Sequence, residues 1–198
     1  MIKMNNVTIG YNSNIIKDNV TYSFKKGINY TIWGPSGVGK STLLKTIAGI
    51  ISPIEGNIEY NIPKIEVSYL PQHYTCFDWA NCIENIAITE RIKNRKLSKE
   101  AINKAHEYLD KVGLNGYAKS FPTQLSGGQK QRLALARTLF SSPKVILMDE
   151  PLSALDEDTR KSMQDLILNI HKETHNTIIM VTHSVTEANR MCDEIIHL

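Results

Sequence analysis

The stretch INYTIWGPSGVGKSTLLKTIAGI, residues 28–50, runs from an apolar, β-rich segment through a glycine loop into a helical pattern. INYTIW (28–33) reads as a buried strand. From Lys40 to Ile50, Leu43, Leu44, Ile47 and Ala48 recur on one side of a helix. Between them lies GPSGVGKS, which fits G-x-x-x-x-G-K-[ST] in the strand–loop–helix setting that gives this motif its meaning. Glycines let the backbone curl so that successive N–H groups point inward at phosphate oxygens. The following helix N-terminus adds partial positive charge. In such a loop Gly34, Pro35, Ser36, Gly37, Val38 and Gly39 form the cradle. Lys40 places a cation on the outer phosphates, Ser41 offers a hydroxyl to Mg²⁺, and Thr42 reaches an inner phosphate oxygen.

Around this centre the pattern is that of an α/β protein. Residues up to about 30 read as short strands, and NIEY (57–60) and VSYL (67–70) read as two more. From about 73 to 124 the character is helical. In SKEAINKAHEYLDKVG, Ser98 suits the cap, Ile102, Ala105, Leu109 and Val112 form a stripe, and Gly113 suits the stop. KVILMDE (144–150) and TIIMVTH (177–183) are continuous apolar strands. They alternate with a helix over about 156–172, a short helix in SVTEANRMC and a final strand in EIIHL. Apolar strands alternating with helices imply a mostly parallel sheet covered on both faces.

The 198 residues favour one domain, and a formal net charge of +3 spread along the chain gives no case for nucleic-acid binding. The basic cluster at 91–96 reads as a solvated helix end or loop. Three cysteines, Cys76, Cys82 and Cys192, have no metal-ligand or CxxC spacing and read as free thiols. No signal peptide is visible and no apolar run approaches the length of a membrane span.

Two acids, Asp149 and Glu150, close the strand VILMDE, at the sheet end where ligands of open α/β folds bind. Asp149 suits Mg²⁺, directly or through water, and Glu150 suits polarisation of an attacking water. His183 closes the next strand and is expected on the same edge. Gln72 ends VSYLPQ, where on pattern alone it is polar punctuation. LSGGQ, Leu125-Ser126-Gly127-Gly128-Gln129, opens a strong helix with Ser126 as a good N-cap. It makes a second anion-binding helix terminus, although one nucleotide needs only one.

Taken together these motifs resemble those of the ATP-binding cassette (ABC) family, over essentially the whole chain. Residues 34–41 are similar to its Walker A loop, Gln72 to its Q-loop, LSGGQ to its signature, VILMDE to Walker B, SALD (153–156) to the D-loop and His183 to the H-loop. Tyr11 is similar to the aromatic that stacks on adenine. The resemblance implies a P-loop NTPase fold, a RecA-like core of mostly parallel sheet, with an N-terminal antiparallel β subdomain and a helical insertion. A single ABC ATPase domain is expected over 1–198, its core about 1–72 and 140–198 and its helical subdomain about 73–139.

The resemblance further implies an ATPase using ATP and Mg²⁺. Glu150, His183 and Gln72 would be catalytic, and Ser41, Gln72 and Asp149 would hold the metal. Cassettes of this family work as head-to-tail pairs, so residues 125–129 would close over ATP held by a second subunit, with Asp156 coupling the sites across the interface. The expected partners are that second subunit, as a homodimer, a membrane-spanning permease and, for an importer, an extracytoplasmic solute-binding protein. The expected location is peripheral, on the cytoplasmic face of the membrane. PQHYTCFDWANCIENIAI (71–88) resembles the corresponding segment of nitrate, sulfonate and taurine importers, with Trp79 and Glu84-Asn85 as the matching residues. Trp79 also reads as plain core packing. An exporter or lipid-extracting cassette, or a soluble non-transport ATPase, are the alternatives. The chain departs from the family in having Gly27-Ile28 where Gly-Glu is common, and in stopping at EIIHL without a regulatory domain.

Overall fold

Continuous apolar runs make the centre of the fold. In the computed structural model, which describes residues 1–11, 14–73, 75–153 and 155–198, strands β3 (Asn29–Trp33), β6 (Val145–Asp149) and β7 (Thr177–Thr182) are buried almost throughout. With β5 (Val67–Leu70) and β8 (Glu194–His197) they form a five-stranded sheet in the order β5-β6-β7-β3-β8, all neighbours parallel. Strands β1 (Ile2–Tyr11), β2 (Asn14–Phe24) and β4 (Glu55–Tyr60) form a separate antiparallel sheet in the order β2-β1-β4. β2 is an edge strand and is largely exposed, carrying Lys17 and Asp18, charges of the kind that keep edges from pairing with other chains.

Two structural units result: residues 1–72, 144–154 and 167–198 form one, and residues 73–143 with 155–166 the other. The first contains both sheets and helix α1 (Lys40–Ile47). Its core joins Ile2, Met4 and Ile9 of β1 to Leu43, Leu44 and Ile47 of α1 and to Val145, Leu147, Ile179 and Val181 of the parallel sheet. An aromatic trio, Tyr22, Phe24 and Tyr30, closes one side, the Phe24 and Tyr30 rings meeting edge-on at 5.1 Å. Helix α7 (Val185–Met191) belongs to this unit as well.

The second unit contains α2 (Cys82–Ile86), α3 (Ile88–Asn94), α4 (Lys99–Lys111) and α5 (Gly127–Phe140). Helix α6 (Glu157–Thr174) begins in this unit and ends in the first. Ser98 accepts from Ala101 N at 3.1 Å, as its capping role predicts, and Gly113 takes a left-handed φ of 69° at the stop. The stripe on α4 is shifted by one residue from the sequence reading. Ala101 is buried with Ala105, Leu109 and Val112, while Ile102 sits at the exposed margin. A helix buries a sector rather than a line, and the small Ala101 allows closer approach there. Trp79 is not core packing: it is 58% exposed, with the Arg91 guanidinium over its ring and Phe77 beside it.

Asn85 holds the segment that enters this unit. Its side chain is fully buried, accepts from Phe77 N and donates to the carbonyls of Phe77 and Ala80. Asn85→Ala leaves those buried groups unpaired and should cost about 2 kcal/mol of stability, read as a lowered midpoint of urea unfolding.

Candidate nucleotide site

Three parallel strands end at one level. Trp33 of β3 pairs with Thr182 of β7, and Asp149 of β6 pairs with Val181. The residues just past these ends are the glycine loop, Glu150 and His183, so the register alone brings them to one edge. On the other side of β6, Leu70 of β5 pairs with Met148, which sets Gln72 level with Glu150.

The glycine loop leaves β3 through buried Gly34, and Pro35, Ser36 and Gly37 are exposed. Gly37 and Gly39 take φ of 83° and 103°, conformations that disfavour any Cβ. At Gly39 a Cβ would also lie 2.6 Å from Ile16 Cγ2, so the β1–β2 hairpin approaches the loop closely. Lys40 begins α1 and is 5% exposed. Its Nζ donates to Gly34 O and Pro35 O, each at 2.8 Å, which fixes the ammonium within the loop. Two of its three donors are thus used, and one remains for a phosphate oxygen. Thr42 is also buried, and Val38 is partly so.

Ser41 Oγ donates to Asp149 Oδ1 at 2.7 Å, and Tyr69 Oη donates to Asp149 Oδ2 at 3.0 Å. Asp149 itself is 3% exposed. Burial, with Asp149 alongside, pushes the Tyr69 phenol well above its ordinary pKa, so this hydroxyl is a neutral donor at physiological pH. A hydroxyl and a carboxylate oxygen in contact are hard oxygen donors of the kind Mg²⁺ prefers, and few in number, as befits an ion that keeps waters and phosphate oxygens.

Glu150 follows with φ 44°, an uncommon value for a residue with a side chain. The conformation is held by its N–H donating to Val181 O at 3.1 Å. Its Oε2 accepts from Gln72 Nε2 at 3.2 Å and lies 3.5 Å from His183 Nδ1. One carboxylate oxygen therefore sits between the Gln and the His, with the Glu150 side chain 19% and that of His183 61% exposed. Tyr11 ends β1 and is 45% exposed.

The LSGGQ residues belong to the second unit. Leu125 is buried, and Ser126 and Gly127 are exposed. Ser126 accepts from Gln129 N at 3.3 Å, and Gln129 Oε1 accepts from Ser126 N at 2.9 Å, a full capping box on α5. A Cβ on Gly127 would meet nothing within 4 Å, whereas one on Gly128 would lie 3.0 Å from Thr159 Cγ2. Gly127 thus faces open space, and Gly128 permits close packing of the start of α5 on the start of α6. Asp156 Oδ1 accepts from Thr159 N at 3.0 Å, and that bond holds its carboxyl below the usual range. Of SALD, Ala154 lies outside the described residues.

Sequence reasoning missed Tyr69 and the support behind His183. Thr182 Oγ1 donates to the largely buried Glu187 Oε2 at 2.6 Å and accepts from Ser184 N at 3.0 Å, while Ser184 Oγ accepts from Glu187 N at 3.3 Å. The S-x-x-E spacing of Ser184 and Glu187 was the available signal. Tyr69 had none, because nothing in one sequence tells which face of β5 meets Asp149.

The family model described as ABC transporter matches residues 17–153. The taurine import ATP-binding protein TauB of Pelagibacter ubique is 46% identical over 178 residues, 87% of this chain and 66% of that protein. The aliphatic sulfonates import ATP-binding protein SsuB of Bacillus subtilis is 39% identical over 187 residues, 92% of this chain and 72% of that one. The chain thus spans about two thirds of the length of these curated relatives. A dimeric structure of the ATP-binding cassette MJ0796 bound to ADP and Pi superposes with a TM-score of 0.85 at 30% identity, covering 100% of this chain and 94% of that one. This chain belongs to the ABC transporter family and has the fold of its ATP-binding cassettes.

Proposed function

We propose that this chain is the ATP-hydrolysing subunit of a membrane importer for small organic sulfonates. The observation that carries the hydrolytic reading is Glu150 Oε2, held between Gln72 and His183 at the end of β6, beside a glycine loop. In this reading the loop from Gly34 to Gly39 wraps the phosphates, Lys40 neutralises the outer two, Thr42 holds an inner oxygen and Tyr11 stacks on the adenine. Ser41, Asp149 and Gln72 would hold Mg²⁺, which when bound would draw charge from the transferring phosphoryl group. Glu150 takes up the proton of the attacking water, Gln72 and His183 keep its carboxylate aimed, and His183 donates to the γ-phosphate.

The second anion site fits a dimer. Leu125 to Gln129 present an exposed helix start, and in a head-to-tail pair Ser126, Gly127 and Gly128 serve the ATP of the second subunit, with Asp156 at the interface. The dimeric form of the similar cassette MJ0796 supports this reading. We assign the nucleotide core to about 1–72 and 140–198 and the helical subdomain to about 73–139. The names of the similar proteins, for import of taurine and of aliphatic sulfonates, support the solute class; a membrane-spanning permease, an extracytoplasmic solute-binding protein and a peripheral place on the cytoplasmic face complete the proposal. Among the described residues no helix is long and apolar enough to cross a membrane.

Glu150→Gln should lower ATP turnover by about 10²–10⁴-fold while leaving ATP binding intact, and should accumulate as a dimer in MgATP by light scattering. A chain that stays monomeric at saturating nucleotide, alone and with its co-purified permease, would sink the dimer model. Gly39→Ala forces a Cβ into Ile16 and into a strained φ. It should cost about 1–3 kcal/mol of stability, by thermal unfolding, and weaken ATP binding about tenfold or more, by fluorescence of a ribose-labelled ATP.

A further inference from the structure

Asp149 is gripped from both sides, and only one grip belongs to the nucleotide loop. Ser41 Oγ contacts Oδ1 at 2.7 Å and Tyr69 Oη contacts Oδ2 at 3.0 Å. The two partners come from different elements, α1 and β5, and the carboxylate between them is 3% exposed. A carboxylate held at one oxygen can swing about its Cβ–Cγ bond. One held at both cannot, and its orientation is fixed before any ligand arrives.

We propose that Tyr69 is a positioning residue for the metal site: its hydroxyl, donating to Asp149 Oδ2, keeps Oδ1 against Ser41 Oγ, the pair of oxygens that would hold Mg²⁺. This inference rests on the nucleotide-site reading above and goes beyond it, since Tyr69 is not among the residues that reading assigns to phosphate or metal. The donor orients the carboxylate as outer partners of metal ligands do, and removing such a partner lowers metal affinity about 10–100-fold. Tyr69 is suited to the task by its strand. β5 pairs with β6 in parallel register, Tyr69 opposite Leu147, so the backbone fixes the ring's origin and the phenol has the length to reach Asp149, two residues further along. A shorter hydroxyl at this place would not span that offset.

The test is Tyr69→Phe, which keeps the ring and the backbone pairing and deletes one oxygen. Ribose-labelled ATP is titrated into wild type and Y69F with EDTA and with increasing Mg²⁺, and Mn²⁺ affinity is read by electron paramagnetic resonance in the presence of ATP. We expect metal-free nucleotide affinity to stay within about twofold and the Mg²⁺ and Mn²⁺ needed for half-saturation to rise about tenfold. Tyr69→Leu, which also deletes the ring, should show the same metal defect. Unchanged metal affinity in Y69F overturns the inference, also if Y69L alone is impaired, because the ring then acts by packing. Loss of metal-free nucleotide binding in Y69F overturns it too, since the hydroxyl would then hold the fold. A wild type that binds no ATP under either condition would instead overturn the nucleotide-site reading, and this inference with it.

Discussion

The parallel register of β3, β6 and β7 is the constraint on which the chemistry depends. Pairing Trp33 with Thr182 and Asp149 with Val181 makes three strands finish together. Each then releases one functional segment at the same height. Because side chains alternate along a strand, a slip of one residue would send Asp149 to the opposite face of the sheet. The register is protected by burial. β6 and β7 have no exposed residue, so a shifted pairing would have to repack both faces of the sheet.

At that edge several unfavourable local features offset one another through fixed partners. A buried ammonium at Lys40 is satisfied by two backbone carbonyls. A buried carboxylate at Asp149 is satisfied by two hydroxyls. The positive φ of Glu150, of a kind that costs about 1–3 kcal/mol, is held by its hydrogen bond to Val181 and so by β7. None of these groups depends on a long flexible side chain finding its place alone. The site is set by short links to strands, which is what a reaction needs when positioning and charge do most of the work.

How much of this was legible follows from where the information lies. The glycine loop, the acids at the end of β6 and His183 could be read because each is tied to a strand end by a few residues of local sequence. Ser98, Ser126 and Gly113 were legible as caps and stop for the same reason. Ile102 was misread because apolar periodicity fixes a helix face only to about one residue, and Ala101 makes the closer contact. Tyr69 was illegible because its partner is 80 residues away and only the order β5-β6 joins them. The role of Gln129 in the capping box was open to reading in the S-x-x-Q spacing, but the motif's other meaning hid it.

That double meaning raises a physical question: whether a residue spent on capping a helix can also serve a ligand. For Ser126 it can. A hydroxyl has one proton and two lone pairs. Accepting from Gln129 N uses a lone pair and leaves the proton free to rotate toward an incoming phosphate oxygen. The cap also turns the exposed start of α5 into a rigid platform, since Gln129 ties the Ser126 backbone in return. Ser41 shows the complementary case. Its proton goes to Asp149, and its lone pairs remain for a cation. In the proposed roles the same functional group would serve an anion in one unit and a cation in the other, and which it can do is decided by whether its structural bond consumes a lone pair or the proton.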